Sequence, residues 1–97
     1  MSLHDEAQRG TLAGEVLANP VYTEAYGLIE QEIIAKWQSA TDLETRERLH
    51  LMLKMLGKVQ QVLNGAMQSG KVSSKELEMQ QSRLERLGSA FKRRSVA

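Results

Sequence analysis

The chain is 97 residues long, so it forms one domain at most, and its 41% apolar and 26% charged content is that of a folded protein. It contains no cysteine, which excludes disulfides, thiolate metal sites and cysteine nucleophiles. The net charge is +1, but residues 71–97 carry seven basic and three acidic side chains, whereas residues 1–70 carry six basic and nine acidic ones. This asymmetry predicts a basic C-terminal segment with an anionic partner.

The first predicted helix covers residues 4–18 and is the weakest of four. Gly10 and Gly14 each make helix formation less favourable by about 1 kcal/mol relative to alanine. Its apolar side chains Leu12, Val16 and Leu17 are the ones expected to dock on the rest of the molecule.

The second predicted helix covers residues 20–40. Asn19 is a good N-cap and Pro20 suits the first helical position, so the pair marks a restart. One apolar stripe about 120° wide follows. It contains Tyr22, Ala25, Tyr26, Ile29, Ile33, Trp37 and Ala40.

The third predicted helix covers residues 42–69 and is the structural centre. Thr41 and Glu44 have the spacing of a capping box, in which two side chains and two backbone N–H groups pair at a helix start. The apolar positions between Leu49 and Met67 cover about 200° of the helix circumference, which is more than one neighbouring helix covers. The sequence therefore predicts that a second partner covers part of this helix.

A fourth helix is predicted over residues 73–91, followed by a basic tail, 92–97. Gly70 has the position of a helix C-terminal stop, and Ser73 with Glu76 forms another capping box. The apolar positions of this helix form a narrow stripe, as in a coiled coil. The stripe consists of Leu77, Leu84, Leu87 and Phe91. Together the segments predict an all-α fold, an antiparallel helical bundle of three to four helices built on a central helical hairpin.

No pattern in the chain indicates catalysis, a cofactor or a metal. His4 and His50 lie in different segments without a partner at helical spacing. Glu47 and His50 form a single E-x-x-H pattern, whereas di-iron bundles need two copies and further carboxylates. No glycine-rich phosphate loop is present. We therefore expect a protein that is not an enzyme and has no cofactor.

Two sets of side chains are candidates for binding. The first is a self-association surface on the third helix, made of Leu51, Met55, Val59, Val62 and Ala66. The methionines of this helix, Met52, Met55 and Met67, fit core packing as well as self-association. The second set is a candidate for binding nucleic acid or another anionic partner. Basic residues at a helix C-terminus also interact favourably with the helix dipole, which is a purely structural role. The second set consists of Arg83, Arg86, Lys92, Arg93 and Arg94.

The aromatic side chains Tyr22, Tyr26 and Trp37 allow two interpretations. They have the features of a platform on which nucleic-acid bases stack. Their helical spacing with Ile29 and Ile33 favours core packing instead.

Several motifs between Asn19 and Leu77 resemble those of small helical proteins encoded by phages and prophages. They are N-P-x-[YF]-x-x-A from Asn19, a tryptophan at Trp37, T-R-E-R-L from Thr45, L-K-x-L-x-K-V from Leu53 and S-G-K from Ser69. The resemblance implies a phage setting, and proteins of this kind are commonly virion, packaging or host-interaction components. It implies no biochemical activity.

The function expected from these features is a non-enzymatic phage protein that forms a homo-oligomer and acts in virion assembly or DNA packaging. The alternatives are a small DNA-binding regulatory or packaging protein and an inhibitor of a host protein. The expected partners are the chain itself, other phage or host proteins and, for the DNA-binding alternative, nucleic acid. No signal peptide or membrane-spanning stretch is visible in the sequence, which predicts the host cytoplasm or the virion as the location.

Overall fold

A computed structural model describes the backbone of residues 1–96 and the side chains of residues 1–90. It contains three helices, α1 (Leu3–Ala18), α2 (Pro20–Ser39) and α3 (Leu43–Val96), and no strand in this part of the chain. The predicted all-α class is confirmed.

The first two helices begin at side-chain caps. The Ser2 hydroxyl accepts a hydrogen bond from the backbone N–H of Asp5 at the start of α1. Asn19 separates α1 from α2, and its side-chain oxygen accepts from the backbone N–H groups of Val21 and Tyr22. Because only one residue in extended conformation joins the two helices, α2 continues roughly where α1 ends.

The helices α1 and α2 lie one after the other along α3, and both run antiparallel to it. Next to α1, Gly10 approaches Gly70 and Gly14 approaches Met67. Next to α2, Ile33 shares a hollow with Leu49. The molecule is therefore a long helical hairpin two helices wide.

The hairpin is extended, and the compact bundle predicted from the sequence is not seen in the single chain. The principal extents are 84 × 24 × 15 Å and the radius of gyration is 22.9 Å. A compact domain of this length has a radius of gyration of about 13 Å. The helix α3 alone accounts for the length, because 54 helical residues rise about 81 Å.

The break predicted between residues 69 and 73 is absent, and the two helices expected at 42–69 and 73–91 are one continuous helix. No residue in the described part has a positive φ, so Gly70 does not form a left-handed C-cap. Gly70 instead lies where α1 crosses α3. A Cβ atom added there would come within 2.5 Å of the Gly10 Cα atom. Gly70 therefore allows α1 and α3 to approach each other closely and does not terminate a helix.

Two predicted capping boxes also have other roles. The helix α3 begins one residue later than Thr41 would allow, because the Asp42 carboxylate accepts from the backbone N–H of Thr45 at 2.9 Å. Ser73 is 2% exposed inside α3, and its hydroxyl donates to Glu6 Oε2 of α1 at 2.6 Å. The Ser73 side chain therefore connects two helices instead of starting one.

The core of the hairpin is thin. Its buried apolar side chains are Ala13, Ile33 and Leu49. Leucines on the same side of α3, such as Leu53, Leu56 and Leu63, are only half-buried. Two helices side by side leave both faces of the layer open, so the chain cannot enclose these side chains by itself.

Candidate interaction surface

The hairpin has two faces, and the middle of one of them carries polar side chains, whereas Ile34 and Trp37 line an apolar hollow on that face nearer the turn. A hollow between α2 and α3 on this face is lined by Thr23 and Glu30 from α2 and by Gln61 and Asn64 from α3. Because all four side chains line one hollow, the sides of α2 and α3 that carry them belong to the same face of the hairpin.

The opposite face is apolar. At 100° per residue, Leu28 lies on the side of α2 away from Thr23, and Met55 lies on the side of α3 away from Asn64. The large apolar side chains of this face are all exposed. We call the following set the apolar face: Leu12 and Val16 of α1, Val21, Leu28 and Ile29 of α2, and Met52, Met55, Val59 and Val62 of α3.

Three of the five residues predicted for self-association belong to the apolar face. Met55, Val59 and Val62 are exposed and follow one another at spacings of four and three along α3, with Met55 59% and Val62 63% exposed. Ala66 continues the same row but is half-buried, because its carbonyl lies close to Gly10 where α1 packs.

Leu51 stands one helical turn before Met55 and is 60% exposed. It also lines a shallow hollow near the turn together with Leu43, His50 and Lys54. Leu51 therefore lies where the row that contains Met55 and Val62 meets this hollow.

The half of the apolar face on α1 and α2 was not predicted from the sequence. Val21 and Leu28 are 73% and 60% exposed. With Ala25 between them, they form a second row at spacings of four and three, next to the stripe that contains Tyr22, Tyr26 and Ile33. A search for a second apolar stripe in this helix would have found it.

The aromatic side chains lie at the junction of the helices. The rings of Tyr22 and Tyr26 are half-buried with their centroids 6.0 Å apart. Burial raises the pKa of Tyr26 above its ordinary value, and the Glu30 carboxylate raises it further. The guanidinium of Arg46 lies 4.5 Å from the ring centroid of Trp37 and covers that ring. None of the three rings is part of an open stacking platform.

The basic candidates lie on the part of α3 that continues past the start of α1. We call residues 78–90 the free extension, because every side chain in it is exposed. Arg86 lines a shallow polar hollow there with Ser82, Glu85 and Ser89. Arg83 is on the same extension. The side chains of Lys92, Arg93 and Arg94 are outside the residues whose side chains the structure describes.

The titratable groups of the described residues are mostly solvent-exposed. Hydrogen bonds from the Thr45 hydroxyl and backbone N–H lower the pKa of Asp42. Glu47 and His50 of the E-x-x-H pattern have no third acidic or histidine ligand grouped with them in the described part of the chain.

Comparison with known proteins gave no match to a family model, to a curated protein or to a solved structure. None of the helices in the described residues is both long and apolar enough to span a membrane.

Proposed function

We propose that this chain is a non-enzymatic phage protein that forms a homo-oligomer and acts in virion assembly or DNA packaging through protein–protein contacts. The phage setting comes from the resemblance of the segment Asn19 to Leu77 to small phage-encoded helical proteins. The absence of an enzymatic role comes from the sequence, which has no cysteine and no pattern of catalytic residues.

The observation that carries the proposal is the size of the accessible surface. The chain exposes 8024 Å². A compact monomer of 10.9 kDa exposes roughly 5,600 Å². The surplus is therefore about 2,400 Å², and large apolar side chains on all three helices are among the exposed residues. Soluble monomers rarely expose contiguous apolar patches of more than a few hundred Å², and binding to another protein removes such a patch from water.

Sedimentation equilibrium tests the homo-oligomer. We expect a mass of at least two chains at micromolar concentration, because burial of the apolar face favours association. The method reports mass independently of shape, which matters for a molecule 84 Å long. A mass of 10.9 kDa at all concentrations up to the millimolar range would contradict the proposal.

The phage setting has its own test in the neighbouring genes. Portal, capsid or terminase genes beside this one support virion assembly or packaging. Early genes that act on the host support the alternative of a host-protein inhibitor. Cellular genes on both sides would argue against either phage role.

A second candidate function is binding of nucleic acid or another anionic partner by the basic C-terminal segment. The observation in its favour is that Arg83 and Arg86 are exposed on the free extension, away from the hairpin. Guanidinium groups presented in this way contact phosphates without reading the base sequence.

A further inference from the structure

We propose that the apolar face of one hairpin packs on the apolar face of a second copy, so that two chains form a four-helix bundle. This inference rests on the proposed homo-oligomer and adds the surface and the occupant. It assigns the α1–α2 half of the face, including Val21 and Leu28, to the same interface as Met55 and Val62.

The area of the face matches what a stable dimer needs. Its nine exposed apolar side chains offer on the order of 800 Å² of apolar surface per chain. A standard protein–protein interface buries about 800 Å² on each partner. The face is therefore of the size that a standard interface uses.

A two-fold axis lets the two apolar faces cover each other. The side of the hairpin opposite the apolar face carries Thr23, Glu30, Gln61 and Asn64 around its hollow, and nearer the turn Ile34 and Trp37 line a second, apolar hollow on that side. The resulting two-layer bundle also covers Leu53, Leu56 and Leu63, which are half-buried in the single hairpin.

Charged residues border the apolar face. On α3 the row from Met52 to Ala66 contains no charge over about 21 Å, and Lys58 flanks this row at its side. On α2, Glu24 and Glu32 lie one turn before and one turn after Leu28. An apolar centre with charges at the rim is the usual composition of a protein interface.

The test compares Val62→Glu and Leu28→Glu with Asn64→Glu in the full chain, by sedimentation equilibrium. Asn64 is the control because it is exposed and lines the hollow on the side of the hairpin opposite the apolar face. We expect the wild type and Asn64→Glu to be dimers. We expect Val62→Glu and Leu28→Glu each to weaken dimerisation by at least about 100-fold, since each places a charge in a dry interface.

A second measurement uses substitutions that add no charge to the interface. Because the chain has no cysteine, single cysteines introduced as Val59→Cys and Asn64→Cys are the only thiols available to a short bismaleimide. We expect covalent dimers from Val59→Cys at low protein concentration and none from Asn64→Cys, which lies on the opposite side of the hairpin. Equal cross-linking of the two variants would overturn the proposed face.

The outcomes separate this inference from the proposed function. If the wild type is an oligomer and both face variants remain oligomers, the homo-oligomer stands and the face is wrong. If the wild type is a monomer, both the proposed homo-oligomer and the proposed dimer are wrong, and the apolar face would then bind a different protein.

Discussion

Gly10 and Gly70 meet where α1 crosses α3, and each occupies space that no larger residue fits. A Cβ atom on either glycine would lie 2.5 Å from the Cα atom of the other and 3.0 Å from a carbonyl oxygen of the facing helix. Backbone atoms cannot rotate away as a side chain can. The close approach of the two helices therefore depends on both glycines.

Replacing Gly70 by alanine should destabilise the protein although alanine favours the helix. The steric conflict with α1 costs about 1–3 kcal/mol, which outweighs the gain in helix propensity. The control is Gly65→Ala, since nothing lies within 4 Å of the added methyl group there. This control should stabilise by up to about 1 kcal/mol. Thermal unfolding followed by circular dichroism measures both, and a higher melting temperature for Gly70→Ala would contradict the packing described.

Asp42 should make the stability depend on acidity. Its pKa is lowered in the folded chain by hydrogen bonds from Thr45, so it is charged at pH values where the unfolded chain begins to bind a proton. The stabilisation is complete above 3.8, the ordinary pKa of an aspartate in an unfolded chain, and is lost as the pH falls through the lower pKa of the folded state.

The variant Asp42→Asn keeps a capping oxygen but does not titrate. Unfolding by urea at pH 6 and at pH 2.5 should show a smaller loss of stability on acidification for this variant than for the wild type. Equal losses would show that the Asp42 cap has no role in the acid response. Asp5→Asn is a suitable control, because the Asp5 side chain makes no interhelical contact in the described hydrogen bonds.

At the scale of single elements, the start of α2 followed from local rules, and the continuity of α3 did not. Asn19 and Pro20 act through their own backbone and side chains, so the sequence contains what determines this start. Glycine at position 70 and serine at position 73 have two uses each. They occur at helix ends, and they also occur where two helices cross closely, as they do here. The choice depends on a partner some sixty residues away in the chain.

The free extension should govern any attraction to polyanions. Replacing Arg83 and Arg86 together by glutamine should lower the salt concentration needed to elute the protein from heparin. The slope of log affinity for duplex DNA against log salt should fall by up to about 2, since each phosphate contact contributes about 0.9. Lys54→Gln with Lys58→Gln on the hairpin is the control. A reduction of similar size in the control would show that overall charge and not the extension is responsible.

At the scale of the whole molecule, the sequence predicted that the central helix has more apolar surface than one neighbour covers, but it did not predict the extended shape. The about 200° apolar arc of the central helix indicated that one neighbour does not cover it, and Met55 and Val62 are indeed exposed in the single chain. The single chain does not form the predicted compact bundle because α1 and α2 follow one another along α3 and do not pack side by side. The one-residue connection at Asn19 has an extended conformation, which leaves no room for a reversal of the chain.

The 84 Å length has a consequence for how charges act on this protein. The basic segment and the turn between α2 and α3 are at opposite ends, separated by far more than the screening distance of about 8 Å in physiological salt. A negatively charged surface therefore attracts one end and does not act on the other. The rod would approach such a surface end-on, with the turn pointing away into solution.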